Sequence, residues 1–483
     1  MSEALRTATT SNSTVVGPLP DACAIAHAVC AGRTTAVAVV EQALARIDAL
    51  NPALGAFVSV DAEGARARAE RIDAAIARGE DAGPLAGVPF GVKELENVRD
   101  WPATDGSTLL ADRIATCTST FVERACAAGA VPVGLTHSPE FGRASYTATA
   151  LHGVCRNPWD RRLTPGGSSG GSSAAVAAGL VPLATGTDGA GSIRIPASWT
   201  GLVGLKPTYA RIPRGPVAVG TAHTHVVGVL SRTVRDTARF LDCVVGADER
   251  DPMSCPAPPK RFEDMLESVN VRGLQCTWTP DLGVAVCDPD VLAQTHDAFD
   301  TLVGELGLVA VDVDVHLPDC SAAFQTTVTP DTYESLHEFM PRDNRPDVDE
   351  NVRLFYDGAF ALGIPDLAVA NRQRAALIDT LASVFEKTDL LVLPATQMAA
   401  FAAEGPMPDE VAGKPVGHMS SIAVTFPFNL SGHPAICLPA GFVGGAPSGV
   451  QIVARRHRED LLLGVAAAFE RVRPWPGIAT DYR

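Results

Sequence analysis

The sequence predicts an α/β protein, because segments typical of strands alternate with segments typical of helices. Two apolar segments with strand character, 84–93 and 131–135, lie on either side of a helical segment at about 118–129. Further along, a helical segment at 286–306 is followed by strand-like residues at 307–315. Alternation of this kind indicates an α/β fold.

The first part of the chain predicts an arm followed by helices. Residues 1–20 are polar and interrupted by glycine and proline, and we expect a flexible arm there. Apolar residues recur at helical spacing within 21–50, with the Thr-Thr pair at 34–35 as N-cap and the Asn-Pro pair at 51–52 as the end. A second amphipathic helix is predicted at about 60–79.

The rest of the chain continues the same alternation. Residues 253–262 are rich in proline and predict a linker or a long surface loop. The predicted helices lie at 233–246, 364–387 and 458–471, and the predicted strands lie at 390–394, 434–441 and 449–454.

The composition indicates a folded protein whose partner is a small molecule or another protein. The 483 residues are 46% hydrophobic and 19% charged, which argues against long disordered segments. The formal net charge of −16 disfavours nucleic acid and anionic membrane surfaces as main partners, because like charges repel. Length alone is compatible with about three domains.

The cysteines and the start of the chain predict a cytoplasmic location. The eleven cysteines are odd in number and include no Cys-x-x-Cys pair, so a zinc ribbon or a secreted disulfide framework is unsupported. The first residues lack the pattern of a signal peptide. The apolar run at 174–184 is too short to span a bilayer and is broken by Gly179 and Pro182.

Two loops rich in glycine and serine, 164–171 and 185–196, are the most distinctive feature of the sequence. Glycine-rich loops at helix N-termini can bind phosphate through backbone N–H groups. The first loop lacks the Gly-Lys-Ser/Thr ending of a nucleotide P-loop, and no Gly-x-Gly-x-x-Gly pattern follows a strand here. Nucleotide binding is therefore disfavoured.

A Ser-His-Asp hydrolase is a second interpretation. Residues 166–170 match Gly-x-Ser-x-Gly, but this elbow requires a buried strand before the serine, and residues 160–165 are too polar for one. Ser192, in the second loop, has no such match. The sequence has no His-x-x-x-His pair of metal-ligand type. We expect ordinary loop or core positions for four histidines: His137, His223, His225 and His433.

A serine activated by a lysine is a third interpretation. A dry site disfavours the ammonium form, and a neutral lysine can act as a base. Lys93 ends an apolar segment with strand character, and Gly189, Ala190 and Gly191 precede Ser192, which would let consecutive N–H groups converge on one oxygen. From the pattern alone, Lys93 fits a solvated charge at a strand end equally well.

Three ordered segments carry a resemblance to a known family. They read Thr-Pro-Gly-Gly-Ser-Ser-Gly-Gly-Ser at 164–172, Gly-Thr-Asp-Gly-Ala-Gly-Ser-Ile-Arg at 186–194 and Gly-Leu-Val-Gly-Leu-Lys-Pro-Thr at 201–208. Further segments, at 87–94, 156–160 and 427–435, extend the likeness along most of the chain. The sequence resembles the amidase signature family, and the spacings of 75 residues between Lys93 and Ser168 and 24 between Ser168 and Ser192 also fit.

The resemblance implies a fold as well as an activity. It implies one compact α/β domain over 21–483, built on a single large twisted mixed β-sheet surrounded by helices. The core signature covers about 85–210. The variable stretch at about 320–425 is expected to cover the site and to set specificity. This expectation replaces the estimate from length.

The resemblance also implies a Ser–cis-Ser–Lys triad, with Ser192 as nucleophile, Ser168 as bridging serine after a cis peptide bond and Lys93 as base. The backbone N–H groups of four residues would form the oxyanion hole: Gly189, Ala190, Gly191 and Ser192. Ser169 and Thr187 would support the proton relay through their hydroxyls, and Asp188 would brace the oxyanion loop. No metal or organic cofactor is implied.

The loop before Ser192 departs from the commonest family pattern. Many members have two glycines directly before the nucleophile, whereas this chain has Ala190 and Gly191 preceded by Gly189. If residue 190 required a positive φ, alanine would cost roughly 1–2 kcal/mol, and the shift of glycine to 189 would offset that cost. This variant resembles the branch of nylon-oligomer cyclic-dimer hydrolases and aryl-acylamidases more than the A subunits of tRNA-dependent amidotransferases.

The expected function is hydrolysis of a small-molecule carboxylic amide through a serine acyl-enzyme. Esters, anilides and carbamates (a urethanase activity) are further candidate substrates. The alternative is the glutaminase A subunit of a tRNA-dependent amidotransferase, which works only inside a complex. A non-catalytic scaffold conflicts with the presence of all three triad positions. A homodimer is a further expectation.

Segment 139–146 is the expected substrate-binding segment, because in the family it borders the acyl-binding side of the pocket. Its candidate contact residues are Gly142, Arg143, Ala144 and Tyr146. Two interpretations of Arg143 stay open. One is a structural ion pair, for example with Glu140, and the other is a contact of its planar fork with a carboxylate or second carbonyl of the substrate.

Overall fold

The computed structural model of the protein describes residues 17–216, 223–340 and 348–482. The predicted arm at 1–20 therefore lies outside the described residues as far as residue 16. Across these three ranges, no helix is both long enough and apolar enough to cross a membrane.

Helices surround a central sheet. Those found in the described ranges are α1 (Ala22–Cys30), α2 (Ala36–Leu54), α3 (Ala62–Ala77), α4 (Thr120–Ala127), α5 (Gly170–Ala177), α6 (Arg194–Thr200), α7 (Val234–Val244), α8 (Phe262–Met265), α9 (Pro289–Gly304), α10 (Ser321–Leu336), α11 (Glu350–Gly358), α12 (Ile364–Phe385), α13 (Phe426–Leu430) and α14 (Glu459–Val472).

The strands, again within the described ranges, are β1 (Phe57–Val60), β2 (Pro89–Lys93), β3 (Val131–Thr136), β4 (Ala148–Thr149), β5 (Gly153–Val154), β6 (Leu183–Asp188), β7 (Val203–Lys206), β8 (Val226–Ser231), β9 (Gln275–Trp278), β10 (Val309–Ala310), β11 (Leu390–Pro394), β12 (Glu410–Val411), β13 (Lys414–Pro415), β14 (Ala435–Val443) and β15 (Ala446–Ala454). Eleven of them form one sheet in the order β1-β3-β2-β6-β8-β7-β14-β15-β11-β9-β10. The pairs β2–β3, β2–β6, β9–β11 and β9–β10 are parallel, and the other pairs of this sheet are antiparallel. The predicted fold class, one large mixed sheet surrounded by helices, is confirmed.

The central strands are buried along their whole length, which explains their continuous apolar character. Every residue of β2, β6 and β8 is buried, as expected for strands that helices cover on both faces. All three strands nevertheless end in polar residues, and β8 ends at buried Ser231. β2 ends at Lys93, and β6 ends at Thr187 and Asp188, all of them buried.

Helix α2 begins where the sequence predicted and ends later. Thr35 caps its N-terminus by accepting a hydrogen bond from the N–H of Ala38. The helix continues through Pro52 to Leu54, where the left-handed residue Gly55, with φ of 62°, ends it. The helix therefore ends two residues after the predicted Asn-Pro pair, because a proline in the last turn removes only one hydrogen bond.

The predicted strand at 307–315 is mostly absent. Only β10, Val309–Ala310, pairs with β9, at the outer edge of the sheet. Both of its residues are exposed, and an edge strand has a neighbour on one side only. Alternating apolar residues in this segment therefore did not become a buried strand.

The topology brings the polar ends of β2 and β6 together. The two strands are parallel neighbours, so their C-terminal ends meet at the same edge of the sheet. In open α/β sheets this edge is where ligands bind. Helix α5 follows the first glycine-serine loop and contacts both strands. Lys93, Thr187 and the start of α5 thus converge at one place.

Candidate active site

Lys93 is a buried lysine at the C-terminal end of β2. Its side chain is 0% exposed, which rules out the interpretation of a solvated charge at a strand end. Its backbone N–H donates to Thr185 Oγ1 at 2.9 Å, which ties the end of β2 to β6. The position of the amine is therefore set by the sheet.

Three hydroxyl groups surround the Lys93 amine. Nζ lies 2.7 Å from Ser168 Oγ, 2.9 Å from Ser169 Oγ and 2.8 Å from Thr187 Oγ1. A hydroxyl can donate as well as accept, so this shell suits both protonation states of the amine. A neutral amine would donate hydrogen bonds to two of these oxygens and accept a hydrogen bond from the third hydroxyl.

Burial shifts the protonation equilibrium of Lys93 toward the neutral form. Desolvation lowers the pKa of Lys93 from 10.5 to about 7, although nearby Glu96, Asp188 and Glu94 act in the opposite direction. No carboxylate within 4 Å pairs with its amine in the described part of the chain. Lys93 can therefore accept a proton near neutral pH.

The first glycine-serine loop places Ser168 beside the amine. The peptide bond between Gly167 and Ser168 is cis, as the family resemblance implied. Ser169 precedes the first residue of α5, and its Oγ also donates to the carbonyl of Thr187 at 3.3 Å. The hydroxyls of Ser169 and Thr187 thus both contact the lysine, and Ser169 also ties the loop to β6.

Ser192 lies across the same cavity from this loop. A cavity of about 390 Å³ is lined by Ser168, Thr187 and Ser192, among others. The backbone carbonyl of Ser192 accepts a hydrogen bond from the N–H of Ser169 at 3.2 Å. Its side chain is partly exposed, and within the described residues its hydroxyl makes no hydrogen bond. Ser192 Oγ is thus accessible to a molecule in the cavity.

The loop that precedes Ser192 presents backbone N–H groups. The N–H of Gly191 is already bound, because it donates to Asp188 Oδ1 at 2.7 Å. The N–H groups of Gly189, Ala190 and Ser192 have no acceptor among the described residues. Of the four predicted oxyanion donors, three are available in this geometry and Gly191 is not.

The backbone angles settle the question raised by alanine at 190. Ala190 does not have a positive φ, so alanine meets no strain there. The positive φ falls on Gly191, at 133°, where a Cβ would lie 2.7 Å from Thr425 Oγ1. Gly189 has no positive φ either, so the expected compensation by glycine at 189 for backbone strain at Ala190 is not needed. Only Gly191 requires glycine.

Asp188 and Arg194 form a buried ion pair beneath this loop. Arg194 Nε and Nη2 donate to the two carboxylate oxygens of Asp188, each at 2.9 Å, and both side chains are 0% exposed. Burial opposes ionisation of Asp188, but Arg194, Lys206 and Asn429 hold its pKa well below the ordinary value. Asp188 is therefore a carboxylate that binds both the loop, through the N–H of Gly191, and Arg194.

Residues from the C-terminal half complete this network, and sequence reasoning did not find their role. Asn429 Nδ2 donates to the carbonyl of Asp188 at 2.8 Å, and Gln451 Oε1 accepts from Arg194 at 2.6 Å. Thr425 Oγ1 donates to the carbonyl of Ala190, also at 2.6 Å. These contacts join positions more than 230 residues apart, which no local pattern reveals.

Glu96 is a second titratable group in the cavity that the sequence did not indicate. Its carboxylate accepts a hydrogen bond from Ser119 Oγ at 2.8 Å, and its side chain is partly exposed to the cavity. Desolvation raises the pKa of Glu96 to about 7, although Lys93 acts in the opposite direction. Glu96 and Lys93 therefore titrate in the same pH range.

The histidines follow the sequence interpretation with one exception. Burial lowers the pKa of His137 to about 4 and that of His433 to about 3, as expected of core residues. His223 contacts Tyr209. His225 instead lines the cavity, so its assignment as an ordinary loop or core histidine stays a prediction. Within the described ranges, no group of three or more His, Cys, Asp or Glu side chains could hold a metal ion.

Three of the four predicted substrate contacts line the cavity. Gly142, Arg143 and Ala144 do so, whereas Tyr146 does not. The Tyr146 ring packs edge-to-face against Phe401, with ring centroids 6.2 Å apart. The chain thus leaves the cavity wall after Ser145, and a substrate contact of Tyr146 stays a prediction.

The comparisons with known proteins agree with this geometry. The family model described as Amidase matches residues 38–463. The chain belongs to the amidase family. The resemblance predicted from the glycine-serine loops is confirmed.

Two relatives illustrate the range of the family. The chain is 36% identical to an acylamidase of Rhodococcus erythropolis over 441 residues, which cover 90% of this chain and 92% of that protein. It is 35% identical to the A subunit of the glutamyl-tRNA(Gln) amidotransferase of Chloroflexus aggregans strain MD-66, with coverage of 93% and 95%.

Two solved structures resemble the fold closely. A bacterial aryl acylamidase of the amidase signature family superposes with a TM-score of 0.90 at 29% identity, covering 96% of this chain and 98% of that chain. A 6-aminohexanoate cyclic dimer hydrolase in complex with substrate superposes with a TM-score of 0.85 at 31% identity, covering 96% and 99%. The predicted branch is confirmed, and the chain is a carboxylic amide hydrolase that acts on carbon–nitrogen bonds other than peptide bonds.

Proposed function

We propose that this amidase hydrolyses its substrate through an acyl-enzyme on Ser192, with neutral Lys93 as base and Ser168 as proton relay. The single observation that carries the proposal is the buried amine of Lys93 with hydroxyls as its only hydrogen-bond partners among the described residues. A buried amine with no counter-ion favours its neutral form, which is the form that a base requires.

The first step moves protons along the relay. Lys93 Nζ accepts the proton of Ser168 Oγ, from which it lies 2.7 Å away. Ser168 in turn accepts the proton of Ser192, whose oxygen attacks the carbonyl carbon of the amide. The carbonyl bond opens to a tetrahedral oxyanion, and Lys93 holds the proton as an ammonium.

The loop of residues 189–192 faces the oxyanion. The free N–H groups of Gly189, Ala190 and Ser192 are the available donors, and fixed donors of this kind stabilise charge that develops in the transition state. Asp188 holds the loop by binding the N–H of Gly191. Collapse of the oxyanion breaks the carbon–nitrogen bond, and the proton returns through Ser168 to the leaving amine.

Water completes the reaction by the same route. The relay removes a proton from water, the hydroxide attacks the acyl-enzyme, and Ser192 leaves as the protonated hydroxyl. The products are the carboxylic acid and the amine. Esters, anilides and carbamates carry the same kind of carbonyl, and we include them, with a urethanase activity, among the proposed substrates. The likeness to a bacterial aryl acylamidase supports the anilides.

Three serine variants and one lysine variant test the relay. Ser192→Ala and Lys93→Ala should each remove turnover of a simple aryl amide, while circular dichroism and the melting temperature show a folded chain. Ser173→Ala is the matched control for Ser168→Ala, because Ser173 is equally buried but bonds only the carbonyls of Pro165 and Gly170. Activity of Lys93→Ala within tenfold of wild type would overturn the proposal.

The purified chain alone also tests the alternative activity. A free-standing amidase cleaves simple aryl or alkyl amides without partners. A glutaminase subunit would release ammonia from glutamine only within its complex. Inactivity of the isolated chain on a broad amide panel would favour the subunit interpretation, for which the similarity to amidotransferase A subunits is the support.

We also propose that the protein is cytoplasmic. All eleven cysteines are free, and several are deeply buried among apolar residues, which suits a reducing compartment. The homodimer stays a prediction. Fractionation of the native host and light scattering of the purified chain test these two points.

A further inference from the structure

Arg143 lies in the wall of the cavity, directly after a glycine whose backbone passes close to the bridging serine. A Cβ built on Gly142 would lie 3.2 Å from Ser168 Oγ, so the chain passes close to the bridging serine here. The Arg143 side chain lines the same cavity as Ser168 and Ser192. A ligand held by this arginine is therefore also near the nucleophile.

The Arg143 guanidinium forms no ion pair in the described part of the chain, although Asp331 lines the same cavity. Within residues 17–216, 223–340 and 348–482, no carboxylate lies within 4 Å of it, and its buried Nε has no hydrogen-bond partner. The predicted partner, Glu140, instead accepts hydrogen bonds from Ser107 Oγ and the N–H of Asp349. The structural ion pair is thus not formed.

Arg143 is partly exposed to the cavity, but its Nε is buried without a hydrogen-bond partner, which costs free energy in the unliganded chain. The guanidinium carbon lies 5.2 Å from the centroid of the Phe355 ring on α11. The face of an aromatic ring attracts a cation, but it offers no oxygen or nitrogen that could accept hydrogen bonds from the five in-plane N–H groups of arginine. The N–H edge of Arg143 is therefore left for a ligand that fills the cavity.

Two other charged residues of the cavity, Asp105 and Arg214, have side-chain partners. Asp105 is bound by Arg113, and the side chain of Arg214 contacts Tyr209. Desolvation raises the pKa of Asp105 to about 6. Desolvation lowers the pKa of Arg143 to about 10, partly offset by Asp331, so Arg143 stays cationic at neutral pH.

We infer that Arg143 binds a carboxylate of the substrate, so that the preferred amides carry an acidic group close to the scissile bond. The planar fork of arginine matches a carboxylate with two parallel hydrogen bonds, which a lysine cannot reproduce. This inference rests on the proposed function for the position of the scissile bond. The carboxylate can belong to the acyl side or to the amine side of the amide.

Binding to a variant that cannot turn over tests the inference apart from the mechanism. In the Ser192→Ala background, the affinity of succinamic acid, with an acyl-side carboxylate, is compared with that of neutral valeramide. N-butyrylglycine, with an amine-side carboxylate, is compared with neutral N-propylbutyramide. We expect at least one acid to bind more tightly than its neutral counterpart, and Arg143→Gln to weaken that acid by about 10- to 100-fold while leaving the neutral amide unchanged.

A matched arginine and the melting temperature separate binding from structure. Arg162 is exposed and paired with Asp160, so Arg162→Gln should leave all four affinities unchanged. Because the unliganded guanidinium is unpartnered, Arg143→Gln should not lower the melting temperature. Arg143→Lys should recover only part of the lost affinity.

Three results would overturn the inference. They are equal affinity for the acids and their neutral counterparts in the chain with Arg143, equal weakening of acidic and neutral amides by Arg143→Gln, and a lowered melting temperature with no change in affinity. Persistent turnover by Ser192→Ala would instead contradict the proposed acyl-enzyme and leave the role of Arg143 intact.

Discussion

Glycine should be required at 191 and dispensable at 189, although both flank the same alanine. A methyl group at residue 191 would lie 2.7 Å from Thr425 Oγ1 and 2.8 Å from Ile195 Cδ1, at a φ of 133°. At residue 189 the nearest atom is His225 Nδ1 at 3.5 Å, an ordinary contact, and φ is not positive. The two glycines therefore differ in both backbone strain and space.

The magnitudes follow from these two terms. A side chain in a region that only glycine populates costs about 1–3 kcal/mol, and overpacking of a filled site costs typically about 1–3 kcal/mol more. Gly191→Ala should thus lower the free energy of unfolding by at least about 2 kcal/mol. Gly189→Ala should change it by less than about 0.5 kcal/mol.

Urea unfolding of the two variants, together with Ala190→Gly, measures these differences. Ala190→Gly should be mildly destabilising, by about 0.4–1 kcal/mol, because glycine adds freedom to the unfolded chain. Gly191→Ala should also reduce turnover, since it displaces the loop that carries Ser192. A stabilising effect of Ala190→Gly, or equal damage from the two alanine variants, would refute this account of the loop.

Three further predictions concern the surroundings of the site. Asp188→Asn should destabilise the chain by about 3–5 kcal/mol at neutral pH, because it leaves buried Arg194 unpaired, whereas Asp160→Asn at an exposed pair should have little effect. The pKa of Asp188 is lowered in the folded chain, so its contribution to the free energy of unfolding is present above the ordinary carboxyl pKa and is lost as the pH falls. In urea titrations, the free energy of unfolding of Asp188→Asn should therefore fall less on acidification than that of wild type. His225→Gln should lower the turnover of an aryl amide by less than the about 10²–10⁴-fold expected for removal of a general base. A loss within or above that range would contradict a mechanism that does not use histidine.

Local patterns revealed the parts of the site that lie close together in the sequence. The glycine-serine loops and the apolar segment before Lys93 contained the residues that the structure brings together, and Thr35 was a correct N-cap. Their meeting depends on the parallel pairing of β2 with β6, which the alternation of strands and helices made plausible but did not specify.

Contacts across long stretches of sequence were beyond prediction from the residues. The partners of Arg194 at Asn429 and Gln451 come from separate elements, and no spacing rule connects them. The position of Tyr146 depended on where one loop turns, and the position of His225 on the residues that follow Thr224 into β8. In each case tertiary packing, not local propensity, decided the outcome.

The pH dependence of kcat/KM for wild type and Glu96→Gln tests the central claim most directly. A base must be neutral, so activity should rise with pH through an apparent pKa of about 7, the value to which burial lowers Lys93. Glu96 lines the same cavity and titrates in the same range, so wild type alone does not identify the base. Because ionised Glu96 raises the pKa of Lys93, Glu96→Gln should keep the rising limb and move it to lower pH. Loss of the limb or of turnover in Glu96→Gln would identify the carboxylate as the base and contradict the role of Lys93.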